Sequence, residues 1–255
     1  MKKLILSLLL ATSLAACSST EMVDGISDPY EKTNRKTHAV NVSLDRALIK
    51  PASGAYGTLV PDPLRKGFSN VANTLSLPGS VVNNVLQLRF DEAVYNTLRF
   101  TVNATFGIGG LMDVAGAFGL DEHDTDFGET LHRWGVGEGS YIVLPLYGPS
   151  TQRDSIGLLV DMALDPVSLL ESGINDYKLP LTMADLADAR TRYSDLYESV
   201  IYESADSYAQ MRVTYLDRRR FELVAPLGGS KTNADGADGA DGGAVSYDIY
   251  EDFYE

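Results

Sequence analysis

"TFGIGGLMDVAGAFGLD", residues 105–121, governs how the whole chain is read: it is glycine-rich and apolar, and carries one charge, Asp113, before its closing aspartate. It could cradle a phosphate, fill a core or face lipid. The first option fails on spacing. Gly107, Gly109 and Met112 occupy the three glycine positions of a dinucleotide fingerprint, so the third is wrong, and no glycine-lysine-serine/threonine sequence follows. What remains is close backbone packing against something apolar, protein or lipid. Many small residues beside Phe106, Ile108, Leu111, Met112 and Phe118 suit tight packing at a bilayer surface.

The N-terminus supplies the membrane. Met1, Lys2 and Lys3 form a positive region, residues 4–14 an apolar one too short to span comfortably, and Leu14-Ala15-Ala16-Cys17 a small-residue cleavage site ending at the only cysteine. Residues 1–16 therefore read as a lipoprotein signal peptide and Cys17 as the lipidated anchor. More than one acyl chain, at about 0.8 kcal/mol per buried methylene, anchors stably where a single chain does not. Ser18 follows the cysteine, a sorting pattern that points to the outer membrane of a Gram-negative bacterium. Removing residues 1–16 takes away two lysines and moves the formal charge from -14 to -16. Such a balance argues against nucleic acid and against electrostatic docking on anionic headgroups, so membrane contact must be apolar. With one cysteine there is no intrachain disulfide to staple the fold.

Outward from the glycine-rich stretch, the periods are helical. Residues 17–27 read as a lipidated polar tether, and Asp28-Pro29 as a helix start with aspartate as N-cap. Ala39, Val40, Leu44, Ala47 and Leu48 then form one apolar face, buried or in lipid, until Pro51 ends the segment. A connection punctuated by Pro51, Gly54, Gly57, Pro61 and Pro63 leads to a second helical pattern from Pro78. That pattern breaks at Arg89-Phe90-Asp91, with Asp91 as a further N-cap, and resumes through Val94, Leu98, Val102 and Phe106. "YIVLPLYG", residues 141–148, is the one strand-like run. The apolar stretch after Asp154 is interrupted by Asp161, Asp165 and Pro166 and is too short to cross a membrane. From Thr182 a single long amphipathic helix is predicted through Leu186, Tyr193, Leu196, Tyr208 and Tyr215 to Arg218, Arg219 and Arg220. Residues 28–227 are thus expected to form one mainly α domain, and residues 228–255, with Ala-Asp-Gly repeated three times from Ala234, a low-complexity acidic tail.

The chemistry-bearing residues form no complete motif. His38, His123 and His132 are the only histidines, and Glu129-x-x-His132 is one copy of a carboxylate–histidine spacing that di-iron bundles need twice. His-Glu-x-x-His is absent, as is a Gly-x-Ser-x-Gly elbow, so a metal, a cofactor and a serine-lipase site are not expected. Gly135, Gly137 and Gly139 alternate in "WGVGEGSY", which reads either as a hinge or mobile hairpin or as a rigid turn with positive backbone angles. Trp134 beside them reads as an interfacial ring or a core residue, with the core preferred.

Assembled, "DPYEKTNR" with Asn34-Arg35, "SNVANTL" (69–75), "LRFTVNATFGIGGLMDVA" (98–115), "DFGETLHRWGVGEGSY" (126–141) and "LPLYGPSTQRD" (144–154) resemble the MlaA/VacJ family of outer-membrane phospholipid-transport lipoproteins. Thr33, Ser140 and the Ala-Asp-Gly tail depart from the family pattern. The resemblance implies a mainly α, ring-like assembly of amphipathic helices in the periplasmic leaflet of the outer membrane, with a small glycine-rich hairpin and a central amphipathic passage. It implies a conduit that takes phospholipids mislocalised to the outer leaflet and hands them to a periplasmic lipid-carrier protein, in association with a trimeric porin. Physically, desorbing a two-chain lipid exposes about thirty methylenes at ~0.8 kcal/mol each, on the order of 20 kcal/mol, so such a route must shield tails and give the headgroup a polar path. Gly135, Gly137 and Gly139 then become hinge candidates, and Asn34, Arg35 and Asp113 candidates for structural or passage polarity. Two other classes compete: an envelope lipase or wall hydrolase using His123 and His132, and a structural lipoprotein that only binds a porin.

Overall fold

The computed structural model describes residues 26–120, 122–168, 173 and 175–224. The signal peptide, Cys17 and the 228–255 tail lie outside them.

The fold is mainly helical with one two-stranded hairpin. Helix α1 (Glu31–Leu44) widens into a π-turn (Asp45–Ile49) and continues as α2 (Lys50–Leu59). Pro51 therefore does not end the helix, contrary to the sequence expectation. The backbone is already underwound to i→i−5 bonding there, with Lys50 N–H donating to the Asp45 carbonyl, and this wider winding accommodates a residue that lacks an N–H. Asp28 is not the N-cap either. The helix starts after Tyr30, and the Asp28 carboxylate instead accepts from Asn34 Nδ2 (2.9 Å) and Arg212 Nη1 (2.7 Å).

Helix α3 (Asp62–Leu86) begins well before Pro78, which sits inside it. Pro78 leaves the Thr74 carbonyl without its i+4 donor, a local cost that the long flanking helix tolerates. Helix α4 (Phe90–Thr105) follows, with Asp91 in the first turn and no side-chain cap. After a loop come the short α5 (Val114–Ala117), capped by Asp113, and α6 (Phe127–Arg133), capped by Asp126. Strands β1 (Tyr141–Leu144) and β2 (Gly148–Thr151) pair antiparallel, Tyr141 opposite Thr151 and Leu144 opposite Gly148. The three alternating glycines lie in the approach to this hairpin, and its turn is Pro145-Leu146-Tyr147, with Leu146 in the left-handed region at φ 66°.

Helix α7 (Gln152–Leu164) then crosses α6 so closely that a Cβ on Gly157 would stand 2.4 Å from the Gly128 nitrogen. The long C-terminal helix is in fact broken: α8 (Asn175–Arg192), the single turn α9 (Ser194–Tyr197), a second π-turn (Glu198–Glu203) and α10 (Ser207–Val224). Tertiary bonds explain the break. Asp45 accepts from Arg190 Nε and Nη2, both at 3.1 Å, and from Tyr202 Oη at 2.6 Å, while Arg190 also reaches Glu198 at 3.2 Å. One buried carboxylate in the first π-turn thereby fixes the second. Among the described residues no helix is long and apolar enough to cross a membrane.

A conventional hydrophobic cluster joins the hairpin to α10: Tyr141, Val143, Tyr208 and Leu216, flanked by Ile26 and Tyr215. Elsewhere the interior is built differently. Among the described residues, 21 polar or charged side chains are buried against nine hydrophobic ones. Helices α3, α4 and α8 pack together around that polar interior.

Candidate lipid-contacting site

The amphipathic helices are turned inside out. On α4, Glu92, Asn96, Arg99 and Asn103 recur at helical spacing and are buried, while Phe90, Val94 and Leu98 form the opposite, exposed stripe. On α1 and the π-turn that follows it the buried side is Asn34, His38 and Asp45, and Val40 and Leu48 face out. On α8 Asp188 and Arg190 are buried while Leu179, Met183 and Leu186 are exposed. A helix that presents its apolar face outward over several neighbouring elements builds a contiguous greasy surface, which in a folded protein marks a partner or a membrane.

The opening stretch belongs to this surface. Phe106 and Phe118 are 75% and 77% exposed, and Ile108, Leu111 and Met112 are exposed beside them. Its glycines make a tight reversal rather than a packed helix: Ile108, Gly109 and Gly110 all take positive φ (55°, 69° and 93°), and Gly110 N–H returns to the Asn103 carbonyl at 2.9 Å. A β-branched residue in the left-handed region is strained. A Cβ on Gly110 would lie 2.8 Å from Thr74, so glycine there lets the loop close on α3.

Asp113, the one charge inside the stretch, turns inward. Its carboxylate accepts from Arg99 Nη2 (2.9 Å), Asn103 Nδ2 (2.9 Å) and the Gly116 N–H (3.1 Å). Burial alone would raise the Asp113 pKa, but Asn103, the Gly116 N–H and Arg99 outweigh it and hold the group below the usual carboxylate range. Arg99 and Asp113 border a semi-enclosed polar cavity of about 200 Å³ between α3, α4 and α8. It is smaller than the ~300–1,000 Å³ that a whole drug-sized ligand fills, and suits a polar headgroup rather than a two-chain lipid.

The other sequence candidates lie elsewhere. Asn34 is buried on α1 and clamps β1, donating to the Tyr141 carbonyl (3.0 Å) and accepting from Val143 N–H (3.0 Å). Arg35 forms surface ion pairs with Glu31 (2.7 Å) and Asp206 (2.9 Å); the bond from Arg35, with the Ala209 N–H, holds Asp206 at about 2. Neither lines the cavity. Gly135 and Gly139 take φ of 86° and 73°, while Gly137 has no positive φ and no neighbour to clash with an added Cβ. Trp134 is not a core residue: it is 56% exposed, and its Nε1 donates to the Leu86 carbonyl at 3.1 Å. Its ring sits at the apolar surface while its N–H is satisfied, the arrangement of an interfacial tryptophan.

The histidines are engaged separately. His123 Nδ1 stands 2.6 Å from Glu92 Oε2 and packs edge-on against Tyr95, whereas His132 Nδ1 faces Arg153 at 3.4 Å. No group of three metal-ligating side chains occurs among the described residues. The cavity residues on α3 and α8 escaped sequence reasoning, because the same period describes a polar stripe facing water and one facing an interior.

A family model described as MlaA lipoprotein matches residues 26–222. An uncharacterized protein of Rickettsia bellii (strain RML369-C) is 34% identical over 200 residues, 78% of each chain. The intermembrane phospholipid transport system lipoprotein MlaA of Escherichia coli (strain K12) is 34% identical over 232 residues, covering 87% of this chain and 89% of the relative. A solved structure described as the structural basis for maintenance of bacterial outer membrane lipid asymmetry matches with a TM-score of 0.65 at 32% identity, over 77% of this chain and 99% of that one.

Proposed function

This chain belongs to the MlaA lipoprotein family, and from that premise we propose that it is an outer-membrane lipoprotein conduit which removes mislocalised phospholipids from the outer leaflet and passes them to a periplasmic lipid carrier. One observation carries the reading: an apolar exterior encloses a polar cavity. An aqueous protein has the reverse arrangement, and a body sunk in the periplasmic leaflet has this one. Acyl chains would stay against the outer faces of α1, α4 and α8, and the headgroup would pass through the polar interior. Association with a trimeric porin would give that interior an opening toward the outer leaflet.

Within this scheme Cys17 is the acylated anchor, and Asp113 holds Arg99 in place beside the passage. Asn34 and Arg35 support the scaffold, and Gly135, Gly137 and Gly139 form the hinge between α6 and the hairpin. The proposed activity is transfer without covalent chemistry and needs no cofactor; energy for direction must come from elsewhere, since the chain carries no nucleotide motif.

The test is complementation of a Gram-negative strain lacking its own relative, reading phospholipid exposed on the cell surface. The wild-type chain should restore asymmetry, Cys17→Ala should leave the mature protein off the membrane, and Gly137→Pro should localise normally yet fail to restore it. Failure of the wild-type chain, expressed and localised, defeats the conduit; full activity of Gly137→Pro defeats the hinge.

A further inference from the structure

The paired charges around the cavity cancel one another. Arg99 is held by Asp113 at 2.9 Å and approaches Glu122 at 3.9 Å, and Arg192 is paired with Asp188. Two lining groups remain: Lys66 on α3 and Asp185 on α8, neither of which has an ion-pair partner among the described residues. A second observation points the same way. Ser69 and Thr74, one turn and two turns along α3 from Lys66, are at least nine-tenths buried and line the cavity, yet their hydroxyls have no hydrogen-bond partner. Buried hydroxyls are normally satisfied, and an orphaned pair beside a cavity needs a ligand or water.

Building on the conduit reading, we propose that this cavity is a subsite selective for a zwitterionic phosphoethanolamine headgroup over an anionic one. The phosphate takes the Lys66 ammonium and the hydroxyl of Ser69, one turn along the same helix face, while Thr74 borders the cavity further along α3. The lipid's own ammonium takes Asp185 from the facing helix. A phosphatidylglycerol headgroup keeps the Lys66 contact but brings no cation, so Asp185 is left unpaired and repels the phosphate. Discrimination arises from that repulsion as much as from attraction. Because Lys66 is exposed and Asp185 only half-buried, the preference is modest, about fivefold, the upper range for partly solvated pairs.

The experiment uses the full-length acylated protein in detergent, mixed with vesicles of equimolar phosphatidylethanolamine and phosphatidylglycerol, with the recovered lipids quantified by mass spectrometry. Wild type should enrich phosphatidylethanolamine about fivefold, a ratio that falls as salt is raised. Asp185→Asn should bring the ratio to about one and Asp185→Glu should keep it, while Lys66→Gln should lower recovery of both lipids together. A wild-type ratio of one, or unchanged enrichment in a folded Asp185→Asn protein, overturns the headgroup assignment and leaves the conduit standing. Should Asp185→Asn not fold, the salt dependence of the wild-type ratio decides alone: a ratio insensitive to salt overturns the assignment. Recovery of no phospholipid at all overturns the conduit and this subsite with it.

Discussion

The two ends of this molecule solve the burial problem in opposite ways. Around the hairpin and α10, Tyr141, Val143, Tyr208 and Leu216 form an ordinary hydrophobic cluster, ringed by ion pairs such as Arg219 with Asp126 (2.7 Å) and Asp154 (3.2 Å). Around α3, α4 and α8 the interior is mostly asparagine, threonine, arginine and aspartate, with Leu75 and Leu77 among them, and Phe90, Leu98 and Phe106 point away. The proposed seat in the bilayer accounts for the difference by a change of solvent. A hydrophobic core gains its stability from apolar area removed from water, at about 25 cal/mol per Å². Where the outside is hydrocarbon that gain disappears, and the interior is held instead by hydrogen bonds whose alternative is an unsatisfied polar group in fat.

The strongest way to break the comparison is at the ionic rim of the conventional end. Arg219→Ala would leave half-exposed Asp126 without its arginine and buried Asp154 with Arg153 as its one remaining cation, and since removing one member of a fully buried pair costs about 3–5 kcal/mol, a loss near the lower end, about 3 kcal/mol, is expected. The pH dependence has a definite sign. Burial pushes the Asp154 carboxyl up, but Arg219, with Arg153 and Tyr215, outweighs it and holds the group below its ordinary value. Its contribution is complete above the ordinary carboxylate range and is lost as the pH falls through the depressed folded value. Denaturant melts in detergent should therefore separate wild type from Arg219→Ala widely at pH 7 and progressively less in acid; a gap that widens in acid contradicts this account.

Leu216→Ala should come next, at about 2–5 kcal/mol, because it opens a cavity in a cluster only 1% exposed at that residue. The same melt measures it, and a loss below 1 kcal/mol would mean the cluster is not the core it resembles. In the inverted region the matching deletion is Asn103→Ala, which strips Asp113 of one donor and orphans the buried Ala115 N–H, which now donates to Asn103 Oδ1 at 2.9 Å. About 1–3 kcal/mol is expected. Replacement by leucine should do no better than alanine, since the neighbours that lose their partners are polar; a fully stable Asn103→Leu protein would erase the distinction between the two regions. The smallest effect belongs to the apolar exterior. Phe118→Ala should shift the melt by less than about 0.5 kcal/mol, as surface positions do, while weakening partition of the body into lipid vesicles. Equal partition would argue that this face does not meet the bilayer.

Much of this was legible in the residues. The helical periods follow from local pattern, and the structure bears them out; the strand-like run at residues 141–148 holds a strand only to Leu144 and then turns, and the apolar residues of 105–120 lie exposed on the surface. The misreadings have two causes. Pro51 and Pro78 were expected to bound helices and instead lie within them, Asp28 was expected to cap a helix and instead binds Arg212, and the C-terminal helix divides where Asp45 reaches Arg190 and Tyr202. For Asp28 and for the C-terminal break a partner distant in sequence overrode a local preference worth about 1 kcal/mol, and the two prolines are carried by the helical backbone around them.

The sequence by itself determined that the chain has amphipathic helices and too little positive charge to hold anionic headgroups by electrostatics. Only the tertiary structure decided which face of each helix is the inside. Periodicity measures the contrast between two faces and is blind to its sign, so an amphipathic helix reads the same in water and in lipid. The sign was settled by packing, when Asn96, Asn103, Asp113 and Arg99 met across α4 and its loop and left Phe90, Leu98 and Phe106 to the outside.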